Sequence, residues 1–356
     1  METVYIDGSR GEGGGQILRT SLTLACITGK HLRIENIRAA RRKPGLAKQH
    51  LSCVHAACEI CDGQCRGDAL GSQILDFQPG PVRGGDYSFD IGSAGSASLV
   101  IQTVLPALFL ADKPSTVTVT GGTHNPWAPP FDFLRETFLP AIAAAAFRAE
   151  CQLIKPGFFP AGGGKIFFNI QPWHADAGRT IDLCKLAPRG PDSNPEIHAR
   201  IYTARLPEHI AQKQRTLLLQ SKLNIKHIEH IEVTDSNGPG NCLMIRVLGA
   251  KPGNDRMTVF TAFGMRRKPS REVVNEAVKL AGDFLASNAA VDRYLADQLL
   301  IYMALSKTGC YTANELSTHL TTNIETIQKF LPVNFKTEQQ DRMYKISIDG
   351  KQDTEF

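Results

Sequence analysis

The segment ANELSTHLTTNIETIQKFLP places one histidine, His319, among hydroxyl side chains and beside a helical stripe. Thr322, Asn323, Ile324 and Glu325 have capping-box spacing, and Ile324, Ile327, Gln328 and Phe330 continue the stripe. His319 is therefore expected just ahead of a helix N-terminus. A lone histidine there is most simply a satisfied structural side chain. Alternatively, a neutral imidazole at a helix end that favours anions can attack phosphorus. A second segment, DGSRGEGGGQILRTS, sits between a strand pattern (TVYID) and an apolar helix. Backbone N–H groups at a helix start attract anions, and glycine lets the backbone approach a phosphate closely. The run is no P-loop, because Gly29 and Lys30 are followed by His31, and its glycine spacing does not fit a dinucleotide site. Glu12, inside the run, would repel a phosphate unless a divalent cation bridges the two. Arg19 would project towards the same pocket.

A third segment, RAARRKPGLAKQH, gathers Arg38, Arg41, Arg42, Lys43 and Lys48 without a balancing acid. It reads either as a phosphate or nucleic-acid contact or as an ordinary basic loop. Cys53, Cys58, Cys61 and Cys65 include a C-x-x-C, but no second such pair completes a zinc site. Cys53, Ala57 and Cys61 instead recur at helical spacing, as small residues on a buried face do.

The elements that must carry these residues follow from periodicity. A glycine-rich turn, an apolar helix, a short turn, a strand and a proline-containing loop occur in GEGGGQILRTSLTLACITGK–HLRIENI–RAARRKPG and again in GSAGSASLVIQTVLPALFLADKP–STVTVT–GGTHNPWAPP. A third helix of this kind is YLADQLLIYMALSKTG, followed by CYTANELSTHLTT. Gln16 and Ser98 lie 82 positions apart, but Ser98 and Gln298 lie 200 apart. The excess implies an insertion, and residues 184–274, richer in charge and histidine, carry their own strand, helix and strand signals. The expected fold is α/β (α+β): repeated units forming a body over 1–183 and 275–356, with a smaller α+β domain inserted at 184–274.

The chain has 356 residues, 42% apolar and 21% charged, enough for a substantial core, which excludes global disorder. Net charge is only +5, and the nine cysteines do not form a secreted disulfide framework. The longest apolar run, Val104 to Ala111, is too short for a membrane span, and the N-terminus lacks the layout of a signal peptide. A soluble protein of the cytoplasm is expected.

Taken together, DGSRGEGGGQILR, IRAARRKPGLAKQH, GSAGSASLVIQTVLPAL, GGTHNPWAPPFDF, GFFPAGGG, GPGN, YLADQL and STHLTTNI stand in one order over nearly the whole chain. In this the sequence resembles the RNA 3′-terminal phosphate cyclases, ATP-dependent enzymes that turn an RNA 3′-phosphate into a 2′,3′-cyclic phosphate. The resemblance implies three βαβαββ-type repeats with a smaller inserted domain. It implies ATP and RNA with a 3′-terminal phosphate as substrates, a divalent cation (Mg²⁺ or Mn²⁺), and no membrane. Carried over by residue, His319 matches the nucleophile that takes AMP from ATP. Tyr294, Leu295, Ala296, Asp297 and Gln298 match the adenosine-holding segment, with Pro129 and Phe133 beside the base and Gln102 and Gln16 as further nucleotide contacts. Glu12 matches a position near the metal, and Arg19, Arg38, Arg41 and Gln49 match the phosphate pocket. Two readings compete: a non-catalytic relative in ribosome assembly, which should lack the histidine, and an enolpyruvyl transferase, which shares a related architecture but needs no histidine nucleophile.

Overall fold

A computed structural model describes residues 2–174, 181–182, 195–249 and 256–348. The first repeat runs β1 (Thr3–Asp7), α1 (Gly15–Thr28), β2 (His31–Glu35), α2 (Lys48–Cys61), β3 (Gln64–Arg66) and β4 (Leu75–Gln78). Its sheet has the order β1-β2-β4-β3. β1 and β2 are parallel, so a crossover is required between them, and α1 supplies it. The second repeat follows the same course. It comprises β5 (Asp86–Asp90), α3 (Ala97–Leu108), β6 (Ser115–Gly121), then α4 (Phe131–Phe133), a π-helical turn (Leu134–Phe138) and α5 (Leu139–Ala143), and finally β7 (Ala149–Lys155) and β8 (Gly164–Ile170). Its order, β5-β6-β8-β7, reproduces the first. STVTVTG alternates inward and outward along β6, as its β-branched pattern requires.

The third repeat opens with β9 (Ile181–Asp182) and is then interrupted. The interruption contains β10 (Ile197–Ala204), α6 (His209–Leu219), β11 (Ile225–Val233), β12 (Gly240–Leu248), β13 (Met257–Phe263) and α7 (Ser270–Ser287). Its sheet, β11-β10-β12-β13, is separate from the others and has its own core, in which Ile201, Leu243, Ile245 and Phe260 meet Val274, Ala277, Ala281 and Phe284 of α7. The third repeat resumes with α8 (Arg293–Ser306), β14 (Gly309–Ala313), α9 (Thr318–Phe330), β15 (Phe335–Gln340) and β16 (Met343–Ile348). β9 is parallel to β14, and the sheet read from β9 is β9-β14-β16-β15, the same pattern a third time. The fold is thus mixed α/β, built from three repeated units and one inserted unit.

One expected boundary moves. Residue 274 falls inside α7, whose apolar face covers the inserted sheet, so we place the end of the insertion after that helix, near Asn288. The expected start at 184 lies outside the described residues. Cys53, Ala57 and Cys61 do share one buried face of α2, each no more than 1% exposed.

A single hydrophobic core runs through all three repeats, and α1 packs against α2, α3 and α9 at its centre. The insert is fastened to the second repeat by charge as well as packing. Asp132, fully buried, accepts hydrogen bonds from Arg200 Nη1 at 2.6 Å, Tyr202 Oη at 3.0 Å and His124 Nε2 at 3.1 Å. Arg200 also reaches Glu136 at 3.0 Å, and Arg246 Nε reaches the second oxygen of Glu136 at 2.7 Å.

Candidate active site

α1 begins without a side-chain cap. Its N-cap is Gly14, and Gly11 and Gly13 just before it have left-handed backbone, with φ of 54° and 61°. The first-turn N–H groups of α1 are thereby left for an external acceptor. Gly11 is needed for a second reason. A Cβ there would lie 2.1 Å from Thr322 Oγ1, because the glycine loop rests directly on α9. Thr322 Oγ1 in turn accepts the Glu12 backbone N–H at 3.0 Å.

That contact changes the expected helix start. Ser317, not Thr322, caps α9, accepting the Leu320 N–H at 3.2 Å. His319 is therefore in the first turn of α9 rather than ahead of it. The Thr322–Glu325 spacing is that of a capping box, but the hydroxyl is engaged by the glycine loop of another repeat. Sequence spacing could not reveal that competing partner.

His319 Nδ1 lies 2.9 Å from Gln16 Oε1, and Gln16 Nε2 lies 2.5 Å from Asp297 Oδ2. An ionised carboxylate only accepts, so Asp297 orients the Gln16 amide with its NH₂ outward and its carbonyl towards the imidazole. The carbonyl also only accepts, so His319 carries its proton on Nδ1. Nε2 is left with a lone pair. Glu12 Oε1 is 3.8 Å from Nε2, too far to engage it. Burial pushes the His319 imidazole below its ordinary pKa; Arg19, Arg293 and Arg41 add to this, while Glu12 opposes it. The ring is thus neutral at pH 7, and its side chain remains 48% exposed. Burial raises Asp297 to about 7, with the nearby Asp292 charge adding, and Arg19 and Gln16 partly opposing.

Charge surrounds this relay. Arg41 Nη2 pairs with Glu12 Oε1. Arg38, itself at φ 54°, donates to the Gly45 carbonyl at 2.6 Å. Arg19 and His50 pack against Gly15, where a Cβ would be 2.8 Å from Arg19 Nη1 and 2.5 Å from His50 Nε2. His50 was not singled out in the sequence. Its Nδ1 accepts the Ala47 N–H at 3.1 Å, so the neutral ring carries its proton on Nε2, next to the start of α1. Burial, reinforced by Arg19 and Arg38, drives His50 down to about 3. The only hint of it in the sequence is its place beside Gln49. Gln49 Oε1 accepts the Ser96 N–H at 2.7 Å, joining α2 to the second glycine turn.

The remaining expected residues divide. Gln102 Nε2 hydrogen-bonds Gln298 Oε1, linking α3 to α8, and Gln298 Nε2 bonds the Tyr294 carbonyl at 2.7 Å. Tyr294 is 47% exposed beside Arg293, and Pro129 is half-buried. Leu295, Ala296 and Phe133 have their side chains in the central core, so only their backbone is left to meet a nucleotide. The pattern YLADQ made all five residues candidates, but helical geometry turns two of them inward. Thr20 carries no signal in the sequence, and Asn323 only its place in the capping-box spacing: Thr20 donates to Asn323 Oδ1 at 2.7 Å, and Asn323 Nδ2 donates to the Asp297 carbonyl at 2.7 Å, locking α1, α8 and α9 together.

Glu12 Oε2 is buried and has no hydrogen-bond partner, which fits a cation-binding oxygen. Among the described residues no three His, Cys, Asp or Glu side chains converge to cage an ion. One hard carboxylate suits a divalent ion that takes its other ligands from phosphate oxygens and water.

A family model described as RNA 3′-terminal phosphate cyclase matches residues 10–337. The chain belongs to that family. It is 44% identical over 338 residues to a protein named RNA 3′-terminal phosphate cyclase from Ralstonia nicotianae, covering 95% of this chain and 94% of that protein. It is 42% identical over 349 residues to one of the same name from Salmonella agona, covering 98% of each. For this cyclase-family chain, the helices that meet at His319 come from two different repeats, with Gln16 on α1 and His319 on α9. No helix among its described residues is long and apolar enough to cross a membrane.

Proposed function

We propose that the protein is an ATP-dependent RNA 3′-terminal phosphate cyclase acting through His319. The observation that carries the reading is the Asp297–Gln16–His319 relay, which leaves Nε2 neutral and unpaired beside the uncapped start of α1. The relatives' shared name supplies the substrate class. ATP and RNA ending in a 3′-phosphate are the substrates, and the cytoplasm is the proposed location.

The chemistry proceeds in three transfers. In the first, Nε2 of His319 attacks the α-phosphorus of ATP. The N–P bond forms as the bond to the bridging oxygen breaks, and pyrophosphate leaves. The imidazole is then cationic, and its Nδ1 proton remains held by Gln16, which makes the nitrogen a competent leaving group. In the second, an oxygen of the RNA 3′-phosphate takes the AMP phosphorus, the N–P bond breaks and neutral His319 returns. In the third, the ribose 2′-OH attacks the activated terminal phosphorus and AMP departs. Proximity favours this last step, since nucleophile and phosphorus share one ribose. The freed His319 ring can accept the hydroxyl proton.

The charged side chains make these encounters feasible. The α1 N–H groups, His50 Nε2–H, Arg19, Arg38 and Arg41 would face phosphate oxygens, offsetting repulsion between ATP and the RNA end. Tyr294, Gln298, Gln102 and Pro129 would hold the nucleoside. A divalent cation at Glu12 would supply further charge stabilisation. Its arrival would free Arg41 from the carboxylate for phosphate.

Incubation with ATP labelled at the α-phosphate, followed by a denaturing gel, tests the covalent step. A labelled protein band is expected, and an unlabelled chain with intact ATP-binding would overturn the reading. Arg38→Ala and Arg41→Ala should each slow cyclisation by roughly 10- to 100-fold with little loss of stability, as lost charge-assisted contacts to phosphate imply. A full cyclisation rate in either would remove that arginine from the site.

The relay also carries a sign. Asp297, raised to about 7, is ionised above that pH, and only then does it fix the Gln16 amide by accepting alone. Self-labelling with ATP should therefore climb as pH rises through about 7 and then level. Asp297→Asn keeps an acceptor but cannot titrate, so the rise should move to lower pH, where His319 itself ionises. A profile identical to that of the unsubstituted chain would show that Asp297 does not govern it.

A further inference from the structure

Two loops beside the proposed site end in exposed aromatics. Trp127 is 80% exposed and Phe159 is 45% exposed, and their rings meet edge to face with centroids 5.7 Å apart. Trp127 also has a left-handed backbone, φ 70°, which large side chains rarely adopt. Both loops rest on Ala94. Asn125 Nδ2 donates to the Ala94 carbonyl at 2.6 Å, and a Cβ on Gly162 would be 2.8 Å from Ala94 Cα. Ala94 lies two residues before Ser96, whose N–H is bonded to Gln49 beside His50. The aromatic pair thus continues the wall that carries the phosphate-facing residues.

On its other side the Phe159 loop packs against one end of the inserted sheet. A Cβ on Gly240 would lie 2.1 Å from the Phe158 ring, and one on Gly238 would lie 2.6 Å from Ala161 Cβ. Gly240 pairs with Ala204 and Cys242 pairs with Phe263, so Arg205 leaves β10 at this end, and Arg266 and Arg267 follow β13 there. These three arginines are exposed and form no ion pair among the described residues. The neighbouring Asp235 is paired with Lys155 at 2.8 Å, so it does not cancel them.

We propose that Trp127, Phe159 and this arginine-bearing end of the inserted domain hold the single-stranded RNA upstream of the two nucleotides at the reacting 3′ end. A base stacks on Trp127, and backbone phosphates lie against Arg205, Arg266 and Arg267. Aromatic rings interleaved with basic side chains are how proteins hold single strands, because every base has a stacking face and every nucleotide a charge. RNA fits better than the adenine of ATP. With adenine on the aromatic pair and the α-phosphorus at His319, every phosphate of ATP would lie on the His319 side of the rings and none would meet arginines beyond them, whereas RNA repeats its charge at each step. The inference rests on the cyclase reading of the site and gives the inserted domain a share in substrate binding.

The test is fluorescence anisotropy with a labelled 12-nucleotide RNA bearing a 3′-phosphate, in the absence of ATP, with a dinucleotide 3′-phosphate as a competing short ligand. Trp127→Ala should weaken binding of the long RNA by roughly tenfold, the loss of one base stack, and Trp127→Phe should restore most of it. Arg266→Ala combined with Arg267→Ala should also weaken it, and should lower the slope of log Kd against log salt by about 1.4, the value for two phosphate contacts on a single strand. Affinity for the dinucleotide should hardly change in any variant. Long-RNA binding that is unaltered in both Trp127→Ala and the arginine pair would overturn the proposal. So would Trp127→Ala losing ATP-dependent self-labelling, which would assign the ring to the adenine of ATP. A wild-type chain that neither labels itself nor cyclises RNA would instead refute the cyclase reading, so the two failures are distinguishable.

Discussion

His319→Ala should acquire no label from α-labelled ATP and should lose cyclisation of ordinary 3′-phosphate RNA by at least about three orders of magnitude, as expected when a nucleophile is removed. The wild type, given ATP and a divalent cation but no RNA, should carry one AMP per chain. The bond should behave as a phosphoramidate: labile in acid, where the nitrogen protonates and leaves, and stable in alkali. The variant should nevertheless cyclise RNA already adenylated at its 3′-phosphate, because the 2′-OH attack does not use the imidazole as nucleophile. Slower turnover there is consistent with a role for the ring in moving the hydroxyl proton. Label that persists on His319→Ala, or a bond that survives acid and breaks in alkali, would place the nucleophile elsewhere. Gln16→Ala adds a finer comparison. It keeps the nucleophile but removes the acceptor for the Nδ1 proton, so self-labelling should fall while the bond chemistry stays the same.

The largest stability effect is expected at Asp132→Ala, at about 3–5 kcal/mol, the usual cost of breaking a buried ion pair from one side. Asp132 is fully buried and accepts from Arg200, Tyr202 and His124, so its removal leaves the Tyr202 hydroxyl and the His124 Nε2–H without their acceptor and takes one of three carboxylate partners from Arg200, which keeps Glu136 and Glu229. Burial by itself would raise the carboxyl pKa, but the His124 hydrogen bond and the His124, Arg200 and Arg135 charges outweigh it and hold Asp132 below the ordinary carboxylate range. Its contribution is therefore present above the unfolded carboxylate pKa and is lost as pH falls through the lower folded value. Urea unfolding of the variant should show a clearly lowered midpoint. A midpoint unchanged by Asp132→Ala would mean that the Asp132 cluster does not hold the inserted domain to the second repeat, leaving that to packing and to the Glu136 pairs with Arg200 and Arg246.

Much of the architecture was legible because its signals are local. Each of the apolar helices at Gly15–Thr28, Ala97–Leu108 and Arg293–Ser306 lies between two parallel strands, and their unequal spacing in sequence exposed the insertion. The end of that insertion was not legible. The stripe of Val273, Val274, Ala277, Ala281 and Phe284 is an ordinary amphipathic helix until one sees which sheet it covers. The same limit applies to Leu295 and Ala296, which share a segment with Tyr294 and Asp297 but face the core. Thr322 misled for a related reason, as its hydroxyl serves the glycine loop of the first repeat instead of its own helix.

The sequence by itself determined the residue types: a lone histidine among hydroxyls, a glycine-rich helix start, an arginine cluster and a threefold pattern of helices and strands. Only the tertiary structure decided what those residues are to one another. Gln16 and His319 stand 303 residues apart and meet at 2.9 Å because α1 packs against α9 across repeats. That contact selects the histidine tautomer, and Asp297, from a third helix, selects the orientation of the amide. Propensity and periodicity act over a few residues, whereas a tautomer is set by whichever acceptor the fold brings near.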